Sequence, residues 1–194
     1  MLTINEKKVL KILTFSFGED YSINEISRKC NIAPNGAFKI LKKFEREGIL
    51  IVKKISNIKA YKIDLENNKA KNVIELTLIE EFKGKIKSRY LDLLSLKEIV
   101  ECCILFGSYI NKENPNDLDM IFVVRKDNYK RYKELSNKIF PPMPIKVHDV
   151  VQTNEDFISN IKRKDPVIIE SLRKGIILWG HKIIIEAIEN ANER

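Results

Sequence analysis

Three cysteines are all this chain has, and two of them, Cys102 and Cys103, are adjacent. With Cys30 they make no disulfide framework and lack zinc-ligand spacing, so all three are expected as small core residues. No apolar run approaches the length of a membrane span, and Met1 to Lys7 lacks the basic-then-apolar pattern of a secretory signal. These absences lead to the expectation of a cytoplasmic protein. No internal repeat or low-complexity tract occurs, and prolines cluster only at Pro141-Pro142-Met143-Pro144. Gln152 is the single glutamine beside abundant Lys, Ile and Glu, a bias compatible with a thermophilic source or an AT-rich genome.

What the chain does have is basic charge, unevenly spread. Residues 1–72 hold 15 Lys and Arg against 8 Asp and Glu, whereas residues 73–194 hold 20 against 19. The first third therefore carries a net +7 and the remainder +1. A basic module beside a nearly neutral one predicts two jobs, the basic part facing a polyanion. The chain is long enough for two small domains with real cores.

In the first module, Val9, Leu10, Leu13 and Phe17 predict a one-faced helix from Lys8 to Phe17, stopped by Gly18. Ser22 with Glu25 predicts a capping box over Ile23 to Cys30. Pro34 stands where a first helical residue should, and the third helix is expected to run to Glu47 before Gly48. Its inward stripe is Ala37, Ile40, Leu41 and Phe44. Ile49 to Ile55, a Ser56-Asn57 turn and Ile58 to Asp64 then read as a hairpin. Two helices, a longer basic helix and a hairpin, in that order, resemble the winged helix-turn-helix of small prokaryotic regulators. That resemblance implies binding to double-stranded DNA, with the third helix in the major groove. Asn35, Phe38 and Lys39 would then meet bases, Lys42, Lys43 and Arg46 would lie near phosphates, and Lys53, Lys54 and Lys59 would sit on the wing. The competing readings are a solvated basic face and a protein-interaction or dimerisation module; for Phe38 alone, packing under the wing is the alternative.

Between the modules, Ile79, Phe82, Ile86, Tyr90 and Leu93 recur in steps of three and four. They predict one amphipathic helix over Asn72 to Lys97, tolerating Gly84. The expected domains are accordingly 1–70, a linker at 71–98, and 99–194. A homodimer is the expected assembly, since winged-helix proteins commonly bind DNA in pairs.

The second half alternates strand and helix, with strands expected at Glu101 to Phe106, Leu118 to Val124, Ile145 to Val151 and Ile176 to Trp179. Helices are expected at Asn128 to Ile139, Asp156 to Lys162 behind a Thr153 cap, Pro166 to Lys174, and Lys182 to Ala191. The fold class is α+β, with a few strands and helices on one side. Trp179 is read as a core plug rather than a base-stacking platform.

The chemistry concentrates in Ile104-Leu105-Phe106-Gly107-Ser108 and Asp117-Leu118-Asp119-Met120. Residues i and i+2 of a strand share a face, so Asp117 and Asp119 converge and offer hard oxygen ligands suited to Mg²⁺. Gly107 lets backbone amides approach a phosphate, and Ser108 adds a hydroxyl. A solvated carboxylate pair blunting an edge strand is the alternative.

A hydrophobic strand, Gly-Ser, a short loop and Asp-x-Asp resemble the signature of the DNA polymerase beta superfamily of nucleotidyltransferases, particularly its minimal archaeal and bacterial members. Ile145 to Val151 resembles that family's later strand with a third carboxylate, and Ser171 to Gly180 resembles its closing helix and strand. The resemblance spans roughly residues 99 to 181 and implies a two-metal Mg²⁺ site that uses an NTP. Asp117 and Asp119 would hold metal, Gly107 and Ser108 would position the triphosphate, and Asp149 would bind metal and activate the acceptor. His148, alternating to the opposite face from Asp149, is read as packed or solvated. Tyr109 and Asn111 stand where the family commonly has Arg and Gly. Two functions follow from the resemblances: a DNA-binding nucleotidyltransferase, or a winged-helix transcription regulator whose transferase-like domain senses nucleotide or dimerises without turnover.

Overall fold

The computed structural model describes residues 2–55 and 58–192 of a mixed α+β protein. The chain divides into two compact units, Met1–Leu78 and Ile79–Arg194. No helix among the described residues is long and apolar enough to cross a membrane.

The first unit contains α1 (Ile4–Thr14), α2 (Ile23–Cys30), α3 (Pro34–Arg46), β1 (Leu50–Ile55), β2 (Ile58–Ile63) and α4 (Asn68–Leu78). Helix α1 starts earlier than its apolar spacing predicts, because Thr3 and Glu6 form a capping box that satisfies orphan backbone donors. The Ser22 and Glu25 box and Pro34 at the start of α3 occur as expected. Strands β1 and β2 pair antiparallel from Leu50↔Ile63 to Ile55↔Ile58; the expected Ser56-Asn57 turn lies outside the described residues. Val9, Leu10, Leu13, Ile26, Ala37, Leu41, Phe44 and Tyr61 fill one core, which Ala70 of α4 joins. Ile40 is only partly buried against it.

The predicted single helix over 72–97 is two helices. Helix α4 ends at Leu78, and α5 spans Gly84–Asp92, followed by a 3-10 turn at Leu94–Leu96. Gly84 takes φ +51°, which a right-handed helix interior does not contain. Each helix buries its own residues: Ala70 and Ile74 of α4 in the first unit, Ile86 and Tyr90 of α5 against the second unit's core. Of the residues behind that prediction, Phe82, Ile86, Tyr90 and Leu93 all pack on the second unit's core and Ile79 is exposed, so the spacing belongs to α5 and its flanks and does not extend into α4.

The second unit continues with β3 (Val100–Phe106), α6 (Ser108–Asn111), β4 (Asp117–Val124), α7 (Tyr129–Ile139), β5 (Lys146–Gln152), α8 (Asn154–Lys162), α9 (Pro166–Lys174), β6 (Ile176–Trp179) and α10 (His181–Asn192). Its sheet has the order β5-β4-β3-β6, with β4 and β5 parallel and the other pairs antiparallel. Helices cover both faces, not one. Leu118, Met120, Phe122 and Val124 of β4 share a core with Tyr132 of α7, while Ile121 and Val123, pointing the other way, are also fully buried. Helices α8, α9 and α10 pack against β3 and β4 without joining that first core. A strand with near-continuous apolar residues requires such two-sided cover.

Trp179 is a core plug, and its indole Nε1 donates to the Val100 carbonyl at 2.9 Å. Cys30, Cys102 and Cys103 are buried and free. Burial pushes the Cys102 and Cys103 thiols well up, which keeps them inert.

The first unit is pinned electrostatically by Lys43 of α3, whose Nζ lies 2.7 Å from Oε1 of the buried Glu6 of α1. Burial pushes the Glu6 carboxyl up, but the Lys43 ammonium and the Thr3 backbone and hydroxyl donors outweigh it and leave the pKa lowered. A depressed folded-state pKa gives stability that is present above the unfolded value, about 4.3, and lost as pH falls through the folded one. Glu6→Gln preserves a capping box while removing the charge. It should cost about 1 kcal/mol or less at neutral pH and flatten the acid limb of a melting-temperature profile against pH. Wild-type and variant profiles that stay parallel would contradict this assignment.

Candidate functional site

Strand β3 ends at Phe106, whose register partner on β4 is Asp119. The next residue, Gly107, takes φ +74° and ψ −155°, a region essentially reserved for glycine. A Cβ there would stand 2.3 Å from Asp119 Oδ2, so the backbone turn passes directly against that carboxylate. Ser108, partly exposed, opens the short α6. Tyr109 turns inward and joins the second unit's core, with Lys85 Nζ 5.1 Å from its ring centroid. It offers this turn no charge.

Asp117 and Asp119 lie at the start of β4, where the burial of that strand gives way to intermediate exposure. The parallel ladder sets Asp117 beside Lys146 and Asp119 beside His148. His148 Nδ1 lies 3.6 Å from Asp117 Oδ2 and 3.5 Å from Asp119 Oδ1. The ligand atoms of these three side chains all fall within 4.8 Å of one another, a group able to hold a metal ion. Two carboxylates are a usual protein contribution to a Mg²⁺ site, so the oxygen donors fit that ion, and the imidazole adds a nitrogen.

Asp149 is not part of this group. It pairs with Met120, whose side chain is buried in the core on the opposite face, and its Oδ2 accepts a hydrogen bond from Tyr132 at 2.8 Å and from Lys133 at 3.4 Å. Burial and that carboxylate push the Tyr132 hydroxyl far above its ordinary range, so it stays a donor. The structure does not bring Asp149 to the two aspartates: the residue holds α7 to β5, and His148, expected to be packed or solvated, meets them. The alternation within 146–152 was readable, but nothing in the sequence said which parity faces Asp117. Lys146, exposed and on the parity of His148, was missed for the same reason.

The basic residues of the first unit also separate. Asn35, Lys39 and Phe38 are exposed, Phe38 at 42%, so it does not pack under the hairpin. Lys42 pairs with Glu45 at 2.6 Å, Lys43 with Glu6, and Lys53 with Asp20 at 3.5 Å. Arg46 donates through Nε to the Lys42 carbonyl. Lys54 and Lys59 are cross-strand partners, both exposed.

Comparison of the chain with protein-family models, curated proteins and solved structures found no match.

The contact between Gly107 and Asp119 gives a quantitative expectation. Gly107→Ala should destabilise the protein by about 1–3 kcal/mol, from the left-handed backbone and from overlap with the carboxylate. Part of that loss should vanish in an Asp119→Ala background, where Oδ2 is gone, giving a coupling on the order of 1 kcal/mol in a double-mutant cycle. Additive losses in denaturant unfolding would show that the turn and the carboxylate are independent.

Proposed function

We propose that this chain is a DNA-binding protein whose second unit binds a divalent cation with a nucleoside triphosphate and transfers the nucleoside monophosphate to an acceptor. The observation that carries the reading is the convergence of Asp117 and Asp119, with Asp119 lying against a glycine turn that admits no side chain beside it. Together with the order of strands and helices, this supports the resemblance to minimal nucleotidyltransferases.

In this reading Asp117 and Asp119 hold the cation, Mg²⁺ being the one the resemblance implies. Bound there, it would neutralise triphosphate charge and favour negative charge on the departing pyrophosphate. Gly107 admits the phosphates close to the backbone, and the Ser108 hydroxyl and Lys146 ammonium supply donors. The acceptor hydroxyl gives up its proton to solvent as its oxygen attacks the α-phosphorus, the bond from phosphorus to the bridging oxygen breaks, and pyrophosphate leaves. No step passes through Asp149.

A second reading is favoured by two specific observations: imidazole stands where a third carboxylate is expected, and Tyr109 turns into the core where the family commonly has Arg. In that reading the second unit senses nucleotide, or pairs with a second copy, and the first unit regulates transcription.

The deciding experiment incubates the full chain with Mg²⁺ or Mn²⁺ and each α-labelled NTP in turn. Asp117→Asn or Asp119→Asn should abolish metal-dependent NTP binding with little change in melting temperature, because partly exposed strand-end carboxylates contribute little to a fold. Asp149→Asn should leave NTP binding unchanged. Binding without label transfer to any acceptor favours the sensor, and no binding with any divalent metal ends both nucleotide readings.

For DNA, the exposed third-helix face and the hairpin pair Lys54 and Lys59 support contact with a duplex. Neutralising phosphates releases counterions, so Lys39→Ala, Lys54→Ala and Lys59→Ala should each reduce the slope of log affinity against log salt by about 0.9. Lys43→Ala should instead lower stability and leave the slope unchanged, since its ammonium is committed to Glu6. Affinity for duplex DNA that does not respond to salt would overturn the assignment.

A further inference from the structure

We infer that Asp117, Asp119 and His148 form a mixed nitrogen and oxygen site that prefers a first-row transition-metal dication of the Zn²⁺ and Co²⁺ class to Mg²⁺. This rests on the cation-binding part of the proposed function and is independent of any nucleotide.

The three side chains come from two adjacent parallel strands, held in register by the ladder from Asp117↔Lys146 to Val123↔Gln152. Their ligand atoms face one another across 3.5 and 3.6 Å, longer than a hydrogen bond and short enough for one ion to touch all three. Ligand atoms bonded at about 2.1 Å are spaced about 3.4 Å apart around a tetrahedral centre. Around an octahedral Mg²⁺ the same spacing is about 3.0 Å. The two spacings from His148, 3.6 and 3.5 Å, lie nearer the tetrahedral value. Three protein ligands with the fourth position open to solvent is the pattern of a reactive Zn²⁺ site, and side-chain exposures of 33%, 26% and 45% leave such an opening.

Donor chemistry points the same way. Mg²⁺ takes oxygen and keeps its waters, so an imidazole adds little to its affinity, whereas imidazole suits first-row transition-metal dications such as Zn²⁺ and Ni²⁺. The one residue that decides the matter is therefore His148. Gly107 contributes by leaving the Asp119 carboxylate its place, since any Cβ would stand 2.3 Å from Oδ2.

The test titrates metal-stripped full-length protein with Co²⁺, following the visible absorption that four-coordinate Co²⁺ shows strongly and six-coordinate Co²⁺ weakly. Wild type should develop the strong bands. Zn²⁺ should then displace Co²⁺ at near-stoichiometric amounts, while Mg²⁺ should need an excess of about 100-fold or more. His148→Ala should weaken Co²⁺ binding by about tenfold or more, and His148→Asp, an all-oxygen set, should narrow the gap between Zn²⁺ and Mg²⁺. Asp149→Asn, on the other face, should change neither and serves as a control for general damage to β5. Mg²⁺ binding as tightly as Zn²⁺, or His148→Ala binding Co²⁺ like wild type, would overturn the inference while leaving the proposed cation site intact. Thiolate charge-transfer bands would place the metal on cysteine and overturn it also. Failure to bind any divalent cation would remove both the inference and the cation site.

Discussion

The parallel pairing of β5 on β4 is the constraint on which the site depends. Side chains alternate faces with a period of two, so a slip of one residue would exchange Asp149 for His148 beside Asp117 and Asp119. The register is fixed from the opposite face. Val147 and Val151 pack against the core that holds Phe122 and Tyr132, and the buried Tyr132 hydroxyl finds its acceptor in Asp149. A shifted strand would strand that hydroxyl without a partner and expose both valines, a loss of several kcal/mol at usual magnitudes. Asp149 contributes to that register as the acceptor for Tyr132, a role an Asn in its place would also fill.

The same sheet explains why the polar group sits at its edge. From Met120 onward β4 is buried on both faces, under α7 on one side and α8 on the other. Only the start of the strand, next to the turn at Gly107, remains open enough for carboxylates to keep partial hydration. A charge two residues further in would be a buried unpaired ion, which folding does not tolerate. Cover by helices and the position of the two aspartates are therefore two sides of one arrangement.

In the first unit, counting charges overstates what a polyanion could use. Lys43 is committed to a buried carboxylate, Lys42 and Lys53 have acidic partners, and the exposed set narrows to Asn35, Phe38, Lys39 and Arg46 with Lys54 and Lys59. The formal +7 of residues 1–72 marks which unit would face a polyanion, and the ion pairs decide which of its cations are available.

Local signals determined much of the protein. Ser22 with Glu25, Pro34, the alternating apolar residues of the hairpin and the strand and helix sequence after residue 99 are each set by neighbours a few positions away, so they were legible. So was the convergence of Asp117 and Asp119, because a strand's own alternation fixes it. Tertiary structure alone decided the rest. The break between α4 and α5 followed from which core each helix joins, and the two-sided cover of the sheet followed from where α7 and α8 to α10 pack. The choice of His148 over Asp149 followed from the register of two strands separated by a helix, a long-range pairing that no local periodicity encodes.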